Sequence, residues 1–136
     1  MIKLKKFWKG KKVFITGHTG FKGSWLLLTL NELGANISGY SLPPIKNGIF
    51  QKLNLHNKIK NNNYENILNY EKLKKCINKF KPDIIFHLAA QPLVLESYKD
   101  PYNNFKVNSI GTLNLLEVIR NLNYKGTAVI VTTDKV

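Results

Sequence analysis

Apolar residues in this chain come in short unbroken runs, separated by longer stretches with helical spacing. Lys12-Val13-Phe14-Ile15-Thr16 is the first run. Asn36 to Tyr40, Asp83-Ile84-Ile85-Phe86-His87-Leu88 and Ala128-Val129-Ile130-Val131-Thr132 follow it. Such runs predict strands buried on both faces, because a half-buried strand would alternate apolar with polar. Between them, Ser24 to Leu33 predicts a helix with Gly34 as its stop. Glu71 to Phe80 predicts another, with Leu73, Cys76, Ile77 and Phe80 on one face and Pro82 ending it. A long helix is expected from Phe105 to Leu122, its apolar stripe carrying Leu113, Leu116 and Ile119. Tyr64 to Leu68 is a candidate third strand, and a short helix is expected near Phe50. Residues 1–12 read as a lysine-rich lead, Ser41-Leu42-Pro43-Pro44 as loop, and the Asn61-Asn62-Asn63 run as compositional bias.

Alternation of fully apolar strands with helices specifies a parallel sheet covered on both sides. The expected fold is therefore α/β: a Rossmann-type doubly wound parallel sheet, incomplete, with about five strands in a single domain over residues 1–136.

Composition narrows the function classes. A 43% hydrophobic content is enough for a buried core and too high for a disordered chain. The single cysteine, Cys76, excludes a disulfide framework and a cysteine-based zinc site, and no metal is expected. No apolar run approaches the roughly 18 residues of a membrane span. A glycine loop stands where a signal peptide would carry its apolar region, so cytoplasm is the expected location. The net charge of +13 would suit nucleic acid, but almost all of it is lysine and Arg120 is the only arginine. Specific readers of nucleic acid favour arginine forks, so no nucleic-acid partner is expected.

The chemistry begins at Gly17-His18-Thr19-Gly20-Phe21-Lys22-Gly23, between the first strand and the first long helix. Gly17 permits a sharp exit from the strand, Gly20 lets a diphosphate approach the backbone, and Gly23 lets the helix pack closely. Free N–H groups at the helix start then face the anion. The spacing is GxxGxxG, and in this context it points to a dinucleotide site. For His18 and Lys22, a solvated place in the loop is the competing reading. The acid usual at the end of the second strand is missing, and Tyr40 and Ser41 stand there instead. A serine can donate to or accept from a ribose hydroxyl, and it neither repels a 2′-phosphate nor clamps it, so these residues leave NAD against NADP open.

With these residues in view, the chain resembles the N-terminal part of the CDP-glucose 4,6-dehydratases, a family within the extended short-chain dehydrogenase/reductases. The matching runs are FWKGKKVFITGHTGFKGSWL from Phe7 to Leu26, Gly39 to Pro43, Lys81 to Val94 with its HLAAQPLV, NSIGTLNLLE from Asn108 to Glu117, and Thr132-Thr133-Asp134-Lys135. The resemblance implies an internal redox dehydration of CDP-glucose or a related nucleotide sugar. Hydride leaves C4 of the sugar to bound NAD, water is lost across C5 and C6, and the hydride returns to C6. It also implies a homo-oligomer.

The same resemblance implies roles for individual positions. Gly17, Gly20 and Gly23 would bind the diphosphate, with His18, Thr19, Phe21 and Lys22 beside it. Ser41 would meet the ribose. Asn66, where the family usually has aspartate, and Ile67 would lie at the adenine. Leu88, Ala89, Ala90, Gln91 and Asn108 would line the rest of the cofactor's path, the alanines being equally explained by tight packing. His87 reads as a satisfied strand-end histidine. Thr133 would hold the sugar 4-hydroxyl, Asp134 would protonate the departing 6-hydroxyl, and Lys135 would mark the CDP branch. A turn at Thr133-Asp134 is the plainer alternative.

The family's Tyr-x-x-x-Lys pair is not found at a fitting place. Tyr70 with Lys74 has the interval, but it opens the helix before the fourth strand. The pair and the nucleotide-sugar domain are expected beyond Val136. The alternatives are another nucleotide-sugar epimerase or GDP-mannose-type dehydratase and, in a different class, a short non-catalytic nucleotide binder or decayed gene fragment.

Overall fold

The computed structural model describes residues 2–132. In chain order the elements are α1 (Ile2–Trp8), β1 (Lys12–Thr16), α2 (Phe21–Glu32), β2 (Asn36–Ser41), α3 (Ile49–Lys52), a 3-10 turn (Leu55–Lys58) and β3 (Asn61–Tyr64). Then come α4 (Tyr70–Phe80), β4 (Ile84–His87), α5 (Val94–Lys99), α6 (Pro101–Phe105), a π turn (Lys106–Ile110), α7 (Gly111–Asn121) and β5 (Thr127–Ile130). The strands form one parallel sheet in the order β3-β2-β1-β4-β5. This is the Rossmann-type α/β fold expected from the alternating runs.

β1 is apolar through its middle, Val13 to Ile15, because it feeds two cores. Val13 and Ile15 join Leu27, Leu30, Ile37, Phe50 and Leu55 on one face. Phe14 joins Tyr40, Leu73, Ile77, Ile85, Leu115 and Val118 on the other. Side chains alternate across a strand, so a central strand with both faces covered has no polar positions to spare. Gly34, at φ +86, ends the α2 region as expected.

Several expectations are corrected. The lysine-rich lead is helical, and Trp8 anchors it against the second core and lies 6.3 Å from the Phe86 ring. The third strand is Asn61–Tyr64, three residues earlier than Tyr64 to Leu68 suggests. Its asparagines are poor strand formers, but Asn62 bonds the His18 ring and Asn63 donates to the Gly39 carbonyl. The run read as compositional bias is thus a structural strand. The helix expected from Phe105 is preceded by α5 and begins with α6 and a π turn.

α7 turns a different face inward from the one expected. Gly111, Leu115 and Val118 are buried, whereas Leu113 is 56% and Leu116 47% exposed. Both stripes are apolar, so composition cannot choose between them. Gly111 chooses: a Cβ there would lie 2.7 Å from Ile67 Cγ2, and only glycine permits that approach. β5 is also not a buried strand, since Thr127, Ala128 and Val129 are exposed. Among the described residues it pairs with β4 alone and stands at the edge of the sheet.

Candidate functional site

All strands are parallel, so their carboxyl ends share one edge of the sheet. Strand order reverses between β1 and β4, and ligands of such folds sit beyond the strand carboxyl ends at a reversal of this kind. Three loops meet there: Gly17 to Gly20 after β1, Leu42 to Pro44 after β2, and Leu88 to Gln91 after β4.

Gly17 has φ +74, and a Cβ on it would lie 2.8 Å from the backbone of Leu88 and Ala89. It is therefore glycine twice over, for its conformation and for its neighbour. Gly23 is tighter: its Cβ would lie 2.1 Å from the Gly17 carbonyl oxygen. α2 is thereby pressed directly onto the loop. Gly20 differs, because its Cβ would meet only the Gly17 oxygen, at 3.3 Å. Gly20 is thus the least crowded of the three, and no side chain among the described residues caps α2 there. The amides of Phe21, Lys22 and Gly23, in the first turn, have no intrahelical acceptor. A less crowded glycine beside uncapped donors is a cradle that fits a diphosphate.

Phe21 and Lys22 are exposed at the start of α2, but His18 is not a solvated loop residue. It is fully buried, edge-on to Phe50 and stacked on Tyr64. Its Nε2 donates to Asn62 Oδ1 at 2.9 Å, while Nδ1 has no hydrogen-bond partner among the described residues. Burial lowers its pKa to about 4, against the opposing Asn62 hydrogen bond, so the ring is neutral. Thr19 is buried beside it and bonds Ser41 Oγ at 2.7 Å and the Leu42 carbonyl at 2.9 Å.

His87 is held at both nitrogens. Thr112 donates its hydroxyl to the Asn108 carbonyl at 2.7 Å and so receives the His87 Nε2 proton at 3.1 Å. Nδ1 then accepts from Thr16 at 2.7 Å, leaving Thr16 Oγ1 to accept the Leu88 and Ala89 amides. This relay joins β1, β4, α7 and the loop after β4, and it requires a neutral imidazole. Burial lowers the His87 pKa to about 4.

Asn108, in the π turn, accepts the Gln91 amide at 2.7 Å and donates to the Gln91 carbonyl at 3.1 Å. Asn104 donates to the same carbonyl, and Gln91 Oε1 turns back onto the Leu93 amide. The asparagine thus clamps the loop that holds Ala89 and Ala90. π turns concentrate at functional sites, and this one aims the clamp. Asn66 spends its side-chain oxygen on the Leu68 amide. Ile67 belongs to the core, 6% exposed, with its carbonyl bonded by Asn114. Thr133, Asp134 and Lys135 lie outside the described residues.

Thr16, Thr112 and Gly39 escaped the reading of the sequence. A glycine inside a strand does signal close approach, and Gly39 carries that signal. No sequence signal marks the two threonines. Tyr70 does not join the loops at the strand carboxyl ends: its hydroxyl accepts from Asn121, and Lys74 stands over its ring. Among the described residues no helix is long and apolar enough to cross a membrane, and no acidic, histidine and cysteine cluster could hold a metal ion.

The family described as GDP-mannose 4,6 dehydratase matches this sequence over residues 14–136. A CDP-glucose 4,6-dehydratase of Salmonella typhimurium is 46% identical over 132 residues, which are 96% of this chain and 36% of that protein. The chain therefore spans little more than a third of that relative. Among solved structures, an epimerase of Methanothermobacter thermautotrophicus is 27% identical with a TM-score of 0.76, over 97% of this chain and 38% of its own. A Thermus thermophilus UDP-glucose 4-epimerase in complex with NAD is 26% identical with a TM-score of 0.70, over 85% of this chain and 36% of its own.

Proposed function

The chain belongs to the GDP-mannose 4,6-dehydratase family, and we propose that it is the NAD-binding part of a nucleotide-sugar 4,6-dehydratase acting on CDP-glucose. The observation that carries this reading is the glycine cradle where strand order reverses between β1 and β4. Gly17 and Gly23 are closed off by main-chain atoms, Gly20 would meet only the Gly17 oxygen, and the helix that starts there has no side-chain cap. The 46% identity to a CDP-glucose 4,6-dehydratase supports the choice of sugar nucleotide.

In this reading Gly17, Gly20 and the amides after them hold the diphosphate, and Thr19 and Ser41 meet the adenosine ribose. The relay through His87 and the Asn108 clamp fix the loop after β4 along the cofactor's path. Bound NAD supplies a reversible hydride acceptor. By the resemblance, Thr133 would orient the 4-hydroxyl and Asp134 would donate a proton to the departing 6-hydroxyl. Lys135 completes the CDP-type sequence.

The test uses the enzyme that contains this chain, loaded with NAD. CDP-glucose should lose one water to give the 4-keto-6-deoxy sugar, followed by mass spectrometry. With Asp134→Asn, oxidation at C4 should continue while elimination slows by about 10²-fold or more, so reduced-nicotinamide absorbance persists. Conversion of GDP-mannose in place of CDP-glucose would move the substrate to the other branch. Interconversion of sugars without loss of water would make the enzyme an epimerase.

A further inference from the structure

We propose that Thr19 sets the 2′ state of the cofactor by committing the proton of Ser41, so that the end of β2 accepts from a ribose 2′-hydroxyl and offers nothing to a 2′-phosphate. The inference rests on the cofactor reading above and goes beyond it by naming the residue that discriminates.

Proton counting carries it. The Leu42 carbonyl can only accept, so at 2.9 Å Thr19 must donate its one hydroxyl proton there. Thr19 Oγ1 also lies 2.7 Å from Ser41 Oγ. With the threonine proton already spent, Ser41 must donate to Thr19. Any other assignment leaves two oxygen lone pairs facing each other. Ser41 Oγ then presents only lone pairs to a ligand, and the side chain is half-buried at the carboxyl end of β2.

A ribose 2′-hydroxyl has a proton to give and matches that oxygen. A 2′-phosphate has only acceptors and would meet acceptor against acceptor. The group that usually rescues such a phosphate is an arginine fork. The chain's one arginine, Arg120, is on α7 and is bonded to Glu117. An isolated serine would have turned its proton either way, which is why the residue type alone does not decide between the two cofactors. The buried threonine behind it removes that freedom.

The test is calorimetric titration of NAD and NADP at about 0.15 M salt, where attraction of the lysine-rich surface for an extra phosphate is screened. Wild type should bind NAD at least about tenfold more tightly, the scale of leaving a charged group without its hydrogen bond. Thr19→Val frees the Ser41 proton and should narrow the ratio to about threefold or less. Thr19→Ser keeps the relay and should keep the ratio. Ser41→Ala should weaken NAD and leave NADP unchanged, and it decides the matter if Thr19→Val does not fold. Equal binding of the two cofactors by wild type overturns the proposal and leaves the cofactor site standing. An unchanged ratio in folded Thr19→Val, or in Ser41→Ala, does the same. Failure of wild type to bind either cofactor overturns the site itself.

Discussion

Gly39 is missing a methyl group where His18 has placed its ring: a Cβ on Gly39 would lie 2.4 Å from His18 Cγ. The glycine loop and the middle of β2 are thus fitted to each other. Gly39→Ala should force the buried imidazole off Asn62 and Phe50. Overpacking of this kind costs about 1–3 kcal/mol. Urea unfolding should show the midpoint falling accordingly. A stability equal to wild type would mean that His18 can leave its site freely.

Two buried neutral histidines make stability depend on pH. His18 and His87 both have folded pKa values lowered to about 4 by burial, against about 6.5 in the unfolded chain. Between those values the unfolded state binds more protons, so stability rises with pH. It should be complete above about pH 6.5 and should fall as the pH drops toward 4, by up to about 3 kcal/mol for each histidine. Denaturant midpoints at pH 7 and pH 5 would measure it. His87→Gln should flatten the slope by about half, because one of the two depressed groups is gone. A pH-independent midpoint would show that neither ring is held neutral.

The fold was largely legible because its strongest signals are local. β1 begins and ends where its apolar run does, and Gly34 stops α2 through its own backbone conformation. What was not legible depends on contacts distant in sequence. β3 is a strand because Asn62 finds His18 and Asn63 finds Gly39, partners about 44 and 24 residues away that periodicity cannot see. The inward face of α7 follows from Gly111 meeting Ile67. In the site, the glycines were visible as a spaced motif. Thr16 and Thr112 were not, since a threonine shows its role only when its hydroxyl partners are known. The burial of His18, which reads as a neighbour of the diphosphate or a solvated loop residue, was hidden for the same reason.

The Asn108 clamp predicts a loop phenotype. Asn108→Ala removes both side-chain hydrogen bonds to the Gln91 main chain and leaves its amide without that partner. The cost should be about 1–2 kcal/mol, small beside a core defect. Hydrogen exchange at the Gln91 amide should quicken by at least about tenfold. NAD affinity should fall with it, because Ala89 and Ala90 lose their fixed position. Unchanged exchange at Gln91 would show that the loop is held by other means, such as Asn104.

The sharpest contrast lies between two glycines of one loop. At Gly23 a Cβ would lie 2.1 Å from the Gly17 oxygen and 2.8 Å from His18 Cα, both main-chain atoms that cannot step aside. Gly23→Ala should therefore damage the fold itself, lifting α2 from the sheet and costing about 3 kcal/mol or more. At Gly20 the backbone has φ −73 and ψ 173, which any residue adopts, and an added Cβ would meet only the Gly17 oxygen, in a close contact of 3.3 Å. Gly20→Val should cost about 1 kcal/mol, the scale of a poor N-cap residue, well below the loss at Gly23. The same branched side chain would occupy the proposed diphosphate position, so NAD affinity should fall at least about tenfold. Thermal unfolding and NAD titration on both variants separate the two roles. Undiminished NAD binding by folded Gly20→Val would remove the diphosphate from the glycine loop. A fully stable Gly23→Ala would show that α2 does not need its close approach.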